Sequence, residues 1–446
     1  MQAGFIFDAN KCVGCQACQI ACSIENDLAP EISWRQVLTV NPNHIDSLPH
    51  FHLSVACNHC EYAVCIDQCP AKAITKDAAN GVITIAGDKC LGCKYCSWVC
   101  PYDAPTFDRA AKVMTKCTLC SHRLKDGLNP ACVSICPTDA LQFDNIAPMP
   151  ADGAIPGLPP STINPAIKVV PFNVSQHSPP QTVLPYPKEM IASLASQQQT
   201  GSKISLKSEW TLLLFTLLTA ILGGFFSAAV LSEAVINPVI FLGGGLLGMA
   251  LSTLHLGKKF RAYRAMLNWR TSWLSREVLS FSAFMTVAGA FLFLGQPAVL
   301  GYLGIFTALA TAFSMDMVYR VIADNTKRNL HSAGVLLTLL LFSALFNHFL
   351  PGILLMLLLK LVLYLKGFTK QRGDGFIYFV SALRVIGGII TPLLLLLTDE
   401  SRFFQPAFFA ILLGELIDRM QFYAALDVIT PAKHLRNKFN GICVAL

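Results

Sequence analysis

The sequence predicts a multidomain protein in which an α+β domain is followed by an all-α membrane bundle of about eight transmembrane helices. Two observations lead to this prediction. Sixteen of the 17 cysteines lie between Cys12 and Cys136, in four consecutive groups of four. Beyond Ser205, apolar runs approach the roughly 20 residues that a helix needs to cross a bilayer. We therefore predict a cysteine-rich domain at residues 1–147, a tether at 148–205 and the bundle at 206–446.

The cysteine groups share a recurring spacing. The first and third groups have the C-x2-C-x2-C-x3-C spacing of bacterial ferredoxins, and the second and fourth are stretched forms of it. Three closely spaced thiolates can hold three irons of one cubane, while the fourth thiolate points towards a neighbouring cluster. Sixteen thiolates therefore predict four [4Fe-4S] clusters in a ferredoxin-like domain. The groups are, in order, Cys12, Cys15, Cys18, Cys22; Cys57, Cys60, Cys65, Cys69; Cys90, Cys93, Cys96, Cys100; and Cys117, Cys120, Cys132, Cys136.

The groups also indicate an internal repeat. Proline follows the last cysteine of three groups, at Pro70, Pro101 and Pro137. Residues 81–85 alternate as a short strand leading into the third group, which suits a ferredoxin hairpin. Zinc ribbons also use C-x2-C pairs, but they leave the repeated C-x3-C-P unexplained. A disulfide framework is disfavoured because residues 1–5 do not start a secretory signal.

The tether from Pro148 to Pro187 is rich in proline and has little periodicity. Two interpretations stay open, an extended segment lying over one or both domains and a disordered linker. In either case it joins two units that in other proteins are separate chains. Cys443, alone near the C-terminus, is expected to be a plain thiol.

The apolar runs predict eight spans, and an even number puts both ends of the bundle on one side of the membrane. The runs cover residues 210–231, 237–255, 277–296, 299–319, 333–350, 352–366, 376–398 and 405–424. Residues 1–150 hold 11 Lys and Arg against 14 Asp and Glu, so the remainder holds 23 against 13. The net charge of +7 therefore belongs to the membrane part and is no sign of nucleic-acid binding.

Basic residues orient the bundle, because Lys and Arg favour cytoplasmic loops. The alternate loops hold Arg402 and little else. The predicted location is the bacterial inner membrane, with the cysteine-rich domain and the C-terminus in the cytoplasm. The loops after the second, fourth and sixth runs hold Lys258, Lys259, Arg261, Arg264, Arg270 and Arg276; Arg320, Lys327 and Arg328; and Lys366, Lys370 and Arg372.

Two resemblances now become specific. The cysteine region resembles the four-cluster iron–sulfur subunit of the molybdopterin oxidoreductases, and the membrane part resembles the anchor subunit of bacterial dimethyl sulfoxide reductase. The anchor resemblance is carried by Glu209-Trp210, by residues 252–257 (STLHLG), by residues 261–263 (RAY) and by residues 275–277 (SRE). The departures are the fusion of two subunits in one chain and Ser23, which stands after Cys22 where the family has proline.

The resemblance implies a crosswise partition of the cysteines, in which groups one and four exchange their last thiolates, as do groups two and three. Spacing alone indicates only that neighbouring groups exchange a thiolate. The implied ligand sets are Cys12, Cys15, Cys18 and Cys136; Cys117, Cys120, Cys132 and Cys22; Cys57, Cys60, Cys65 and Cys100; and Cys90, Cys93, Cys96 and Cys69.

A quinol site is expected where the second run ends and the third begins. Quinol oxidation releases two protons with two electrons, so an imidazole at His255 and a carboxylate at Glu277 suit the membrane boundary. In the resembled anchors the matching residues are associated with menaquinol, and Arg261 and Arg264 are candidates for holding quinone oxygens. The competing interpretation is an ordinary helix end beside an interfacial basic loop.

Further ionisable residues fall inside the runs and predict internal ion pairs, with a proton exit as the alternative. No haem is expected, because histidines occur only near the ends of the runs. The ionisable residues are Asp316, Lys360, Arg384, Glu415, Asp418 and Arg419.

The expected function is that of an electron-transfer and anchor subunit. It would oxidise menaquinol or ubiquinol and pass electrons through four clusters to a large bis-molybdopterin guanine dinucleotide subunit that reduces dimethyl sulfoxide or a related S- or N-oxide. The chain itself would carry the quinol half-reaction and no terminal active site. The alternatives are service to nitrate reduction, reversed flow from formate or a sulfur compound to quinone, and a docking scaffold.

Overall fold

The computed structural model describes residues 2–44, 49–146, 155–173, 204–322, 331–368, 375–398, 401–426, 428–438 and 444–445. Cys443 and most of the tether lie outside the described residues, as do Lys327, Arg328, Lys370 and Arg372 of the basic loops. The chain forms two compact units. The first comprises Met1–Lys203 together with Val428–Leu446, and the second comprises Ile204–Asp427.

The first unit consists of short helices and strands between the cysteines. They are β1 (Ala3–Asp8), α1 (Ala17–Glu25), β2 (Arg35–Val40), β3 (Phe51–Ala56), α2 (Val64–Asp67), β4 (Ile74–Lys76), β5 (Ile83–Ile85), α3 (Tyr95–Trp98), β6 (Thr106–Asp108), β7 (Val113–Thr115), α4 (Ser121–Lys125), α5 (Ala131–Ser134), β8 (Leu141–Asn145) and β9 (Ile167–Val170). The strand predicted at residues 81–85 is confirmed as β5, which pairs antiparallel with β4.

The strand pairs bring distant cysteine groups together. β1 precedes the first group and pairs antiparallel with β8, which follows the fourth. β4 follows the second group and pairs with β5, which precedes the third. The pairing β6–β7 links the third group to the fourth. Because paired strands lie about 5 Å apart, each pairing holds the neighbouring cysteines side by side.

The first unit extends beyond the predicted domain boundary at residue 147. β9 lies in the predicted tether and pairs in parallel with β1, while Ile155 and Leu158 are buried in the same core as Phe5. Apolar side chains at these positions gain by leaving water, although the segment has no periodic pattern.

The last described segment of the chain also belongs to the first unit, although the sequence assigned it to the bundle. Pro431–Lys438 forms a helix whose Leu435 is buried in the same core, and Val444–Ala445 forms a strand that pairs antiparallel with β2. We label these elements α15 and β10, following the bundle helices α6–α14.

The second unit is helical throughout its described part. Its elements are α6 (Leu206–Leu231), α7 (Pro238–Leu254), a 3-10 segment (Lys259–Met266), α8 (Trp273–Phe293), α9 (Ala298–Arg320), α10 (Val335–Phe346), α11 (Leu350–Phe368), α12 (Gly375–Ala382), a π segment (Leu383–Ile390), α13 (Thr391–Leu396), a second 3-10 segment (Ser401–Phe403) and α14 (Phe404–Ala425). Each predicted apolar run contains helix.

Five helical stretches of the described residues are long and apolar enough to cross a membrane: Leu206–Leu231, Trp273–Phe293, Ala298–Arg320, Leu350–Gly367 and Tyr378–Leu396. A sixth is counted if α7 and the 3-10 segment, bent by 103°, form one broken span. The helix α10 is shorter than a span, and α14 carries three charged residues. Eight spans therefore stay a prediction.

Candidate functional site

The same backbone turn recurs in all four cysteine groups. The residue before the second cysteine has a left-handed conformation in each, with φ between 41° and 69° at Gly14, His59, Gly92 and Leu119. The turn directs backbone N–H groups at sulfur, since Gly92 donates to Cys90 Sγ over 3.4 Å and Leu119 donates to Cys117 Sγ over 3.3 Å. Such donors stabilise a thiolate that ligates metal.

Ser23, which stands where the family has proline, lies in a longer helix than those of the other groups. Where proline follows the last cysteine, the preceding helix has four residues and ends two residues before that cysteine, as at Cys69, Cys100 and Cys136. α1 instead has nine residues and continues through Cys22. The difference is expected, because the residue before a proline avoids helical geometry.

The sixteen cysteines form four sets in space, which we number along their spatial order. Cavities of similar size, with about 350, 400 and 320 Å³ of space between the lining atoms, are surrounded by three of the sets. Each set combines three cysteines of one group with one cysteine of another. Set 1 is Cys12, Cys15, Cys18 and Cys136; set 3 is Cys57, Cys60, Cys65 and Cys100; set 4 is Cys69, Cys90, Cys93 and Cys96.

Set 2 comprises the remaining four cysteines. The Asn26 side-chain nitrogen lies 3.8 Å from Cys22 Sγ and 3.9 Å from Cys120 Sγ. The charges of Cys22 and Cys132 both act on Cys117. Set 2 is therefore Cys22, Cys117, Cys120 and Cys132, and the four sets coincide with the partition that the resemblance implies.

The sets form one row. Set 1 adjoins set 2 because the charge of Cys132 acts on Cys18. Set 2 adjoins set 3 because Cys117 packs in one apolar cluster with Cys57. Set 3 adjoins set 4 because the charge of Cys69 acts on Cys65. A row of this kind would allow an electron to pass from one set to the next between its two ends.

The donor chemistry fits polynuclear groups better than zinc. Burial raises the pKa of Cys22 and of Cys93 to about 12, so these thiols need a bound cation to become thiolates. Within the described residues, no group of three or more His, Cys, Asp or Glu side chains is arranged to hold a single metal ion. The sixteen cysteines of the sets form no disulfide with one another.

The predicted quinol residues lie at one end of α7 and α8. His255 is the C-terminal cap of α7, Arg261 and Arg264 lie on the 3-10 segment, and Glu277 lies near the start of α8. His255 and both arginines are half-buried, while Glu277 is 6% exposed. Glu277 is therefore the most deeply buried of the four residues.

Glu277 belongs to a buried group that the sequence did not reveal. It acts electrostatically on Tyr319 and Tyr423, whose hydroxyl groups are hydrogen-bonded to each other, and Glu209 acts on the same two tyrosines. All four residues are buried. They come from α6, α8, α9 and α14, so only the folded bundle brings them together. The signal that could have pointed to this group was Glu209, a lone carboxylate entering an apolar run.

Four of the six ionisable residues of the runs form ion pairs inside the bundle, as predicted, whereas Arg419 donates to Thr216 Oγ1 over 3.3 Å. Glu415 contacts Lys360 over 2.8 Å and Arg384 over 3.0 Å, and Arg384 lies 3.2 Å from Asp418. Two cations face two carboxylates, which favours internal ion pairs over a proton exit. Asp316 has a different role, because it accepts from the N–H groups of Val335 and Leu336 at the start of α10.

Comparison with known proteins identifies both units. The 4Fe-4S dicluster domain family matches residues 49–146, and the DMSO reductase anchor subunit (DmsC) family matches residues 205–369. A putative dimethyl sulfoxide reductase iron–sulfur subunit of Halobacterium salinarum is 37% identical, and the match covers 32% of this chain and 66% of that subunit.

Two further relatives match over the same share of this chain, 32%. A subunit of the anaerobic dimethyl sulfoxide reductase of Haemophilus influenzae is 38% identical over 73% of its length. The thiosulfate reductase electron transfer subunit PhsB of Salmonella typhi is 40% identical over 74% of its length. Both families are therefore present in one chain.

Proposed function

Because this protein belongs to the iron–sulfur subunits of the dimethyl sulfoxide reductase type, fused to an anchor of that type, we propose that it conducts electrons from membrane quinol to a catalytic subunit. The chain would oxidise menaquinol or ubiquinol and pass electrons through four [4Fe-4S] clusters. The electrons would reach a bis-molybdopterin guanine dinucleotide subunit that reduces dimethyl sulfoxide or a related S- or N-oxide.

The row of four cysteine sets carries this proposal. When bound, each cluster supplies one-electron transfer between neighbours. The chain's own contribution is to supply four thiolates per set, N–H donors to sulfur at the recurring turn, and a buried path between neighbouring sets.

Set 1 is the proposed exit of the row. Cys15 is exposed, and so are apolar side chains close to it in the sequence, with Val13 62% and Ile24 77% exposed. Ile20 and Ile135 are also exposed. Contiguous exposed apolar residues beside a redox site are typical of a surface that another protein covers. The catalytic subunit is the proposed occupant.

The end of α7 and α8 is the proposed quinol site. His255 and Arg261 or Arg264 would bind the quinone oxygens, while Glu277 would accept a proton. The hydrogen-bonded Tyr319 and Tyr423, together with Glu209, extend the polar surroundings of Glu277 across neighbouring helix ends.

Location and orientation follow from the loops and the connectivity. The segments before Ile204 and after Asp427 belong to one folded unit, which supports the proposed even number of crossings. The basic loops favour the cytoplasm for that side of the bacterial inner membrane. The DmsC match favours dimethyl sulfoxide, whereas the relatives named for thiosulfate and polysulfide reduction support a sulfur compound as the alternative.

The test is anaerobic purification of the chain with its copurifying large subunit, followed by iron analysis and EPR spectroscopy during quinol addition. We expect about 16 irons per chain and reduction of the clusters by menaquinol or ubiquinol analogues. Zinc in place of iron, or clusters that dithionite reduces and quinol does not, would contradict the proposal.

A further inference from the structure

Arg35 is a buried cation without an acidic partner. It begins β2, is 2% exposed, and forms no ion pair with Asp or Glu in the part of the chain that the structure describes. Its Nη1 donates to Ser54 Oγ over 2.9 Å, and its guanidinium carbon lies 4.3 Å from the centre of the Phe5 ring. Nε and Nη2 are buried and have no hydrogen-bond partner among the described protein atoms.

Burying the Arg35 guanidinium in this way raises the free energy of the folded protein unless another group compensates its charge. A buried charge without a partner is strongly unfavourable, and so is each buried donor left without a hydrogen bond. Arginine cannot escape this cost by losing its proton. A negatively charged group next to Nε and Nη2 is therefore expected.

The surroundings of Arg35 identify that group. The charges of Cys132, Cys117, Cys18 and Cys22 all act on the guanidinium. Ser54 extends the contact, since its Oγ lies 3.7 Å from Cys18 Sγ. Cys18 belongs to set 1 and the other three cysteines belong to set 2, so Arg35 lies between the two sets.

We propose that Arg35 controls the reduction potentials of the clusters in sets 1 and 2, by donating Nε–H and Nη2–H to cluster sulfur and by placing a fixed positive charge between them. The inference rests on the proposed function, because it requires bound clusters. Reduction adds one electron to a cluster that already carries negative charge. A nearby cation and N–H donors to sulfur stabilise that reduced state and raise the potential.

Sets 3 and 4 have a different environment. Lys116 is the buried cation whose charge acts on Cys65 of set 3, and its amine donates to the backbone oxygens of Ile83 and Cys117. The charge of Arg35 also acts on His59, which lies between Cys57 and Cys60 of set 3, so its effect should be largest at sets 1 and 2 and smaller at the other two. Sets 1 and 2 lie at the proposed exit. Raising the reduction potentials of their clusters therefore favours electron transfer from sets 4 and 3 towards them.

The test is redox titration of the complete complex by EPR spectroscopy in Arg35→Gln, with Arg123→Gln as the matched control. Arg123 belongs to the same unit, but it pairs with Glu25 at 2.9 Å near the surface. Arg35→Gln should lower the potentials of two clusters by at least 59 mV, which is a tenfold change in a one-electron equilibrium, and shift the other two by less. Arg123→Gln should shift none, and Arg35→Lys should retain most of the effect.

Four clusters at wild-type potentials in Arg35→Gln would overturn the inference. If that variant does not assemble clusters, pulsed EPR of the wild-type complex labelled with ¹⁵N-arginine tests the inference instead. Coupling of guanidinium nitrogen to a reduced cluster is expected, and its absence would equally overturn the inference. Absence of all iron–sulfur signals from the wild-type protein would instead refute the proposed function.

Discussion

Phe5 in β1 lies directly opposite Phe143 in β8, in antiparallel register. This pairing holds the residues before the first cysteine group against the strand that follows the last. It explains why Cys136 lines a cavity with Cys12 and Cys15, which are distant from it in the sequence. Cys132, although only four residues before Cys136, belongs to another set.

The crosswise sets predict which cysteine replacements act alike. Cys136→Ser should alter the same EPR signal as Cys15→Ser, whereas Cys120→Ser should alter a different one, because Cys120 belongs to set 2. Each variant should either lose one cluster, which is about a quarter of the iron, or convert it to a cluster with fewer irons. If Cys136→Ser and Cys120→Ser alter the same signal, the sets follow the sequence groups and our partition is wrong.

The quinol site predicts a loss of quinol oxidation without a loss of clusters. His255→Arg and Glu277→Gln should each slow cluster reduction by quinol at least about 100-fold, the lower range for a lost acid–base group. Reduction by dithionite should be unchanged. Glu233→Gln is the control, since Glu233 is exposed and lies between α6 and α7, at the other end of α7. Normal quinol kinetics in both site variants would refute the assignment.

Lys360 and Glu415 are paired inside the bundle, so replacing one of them should reduce the stability of the bundle more than replacing both. Lys360→Met leaves Glu415 with one cation fewer and should destabilise the bundle by about 3–5 kcal/mol. Lys360→Met combined with Glu415→Leu should recover part of this loss in thermal unfolding of the detergent-solubilised complex. Additive losses would show that the two residues do not stabilise each other.

Residues 428–438 and 444–445 belong to the first unit. We therefore predict that this C-terminal segment, the tail, stabilises that unit. Leu435 is 1% exposed in a core shared with Leu53. Leu435→Ala should cost about 2–5 kcal/mol and increase hydrogen exchange in β2 and β3. Asn437→Ala, on the exposed side of the same helix, is the control and should change neither. Equal exchange in both variants would mean that the tail contributes nothing to this core.

The sequence was sufficient where the signal is local. Cysteine spacing identified every member of the four sets, and the alternation at 81–85 identified β5. Apolar runs located the bundle helices, although the number of spans was not decided by length alone. The ion pair of Lys360 with Glu415 was predictable because charges in apolar runs must be paired.

Other features depend on partners that only the fold supplies. β9 and β10 lie in segments without periodicity, and each pairs with a strand near the N-terminus. Arg35 belongs to no motif, and its position among thiolates follows from the β2–β3 pairing that sets it beside Ser54. Tyr319 and Tyr423 are ordinary residues at bundle helix ends until α9 and α14 meet.

The pairing of β10 with β2 has a consequence for biogenesis. A ribosome delivers β2 and β3 early, whereas residues 444–445 emerge only after every bundle helix has been synthesised. The three-stranded sheet therefore cannot close while the protein is still being inserted into the lipid. We therefore expect the first unit, with its iron–sulfur clusters, to be completed only after the bundle helices have been synthesised.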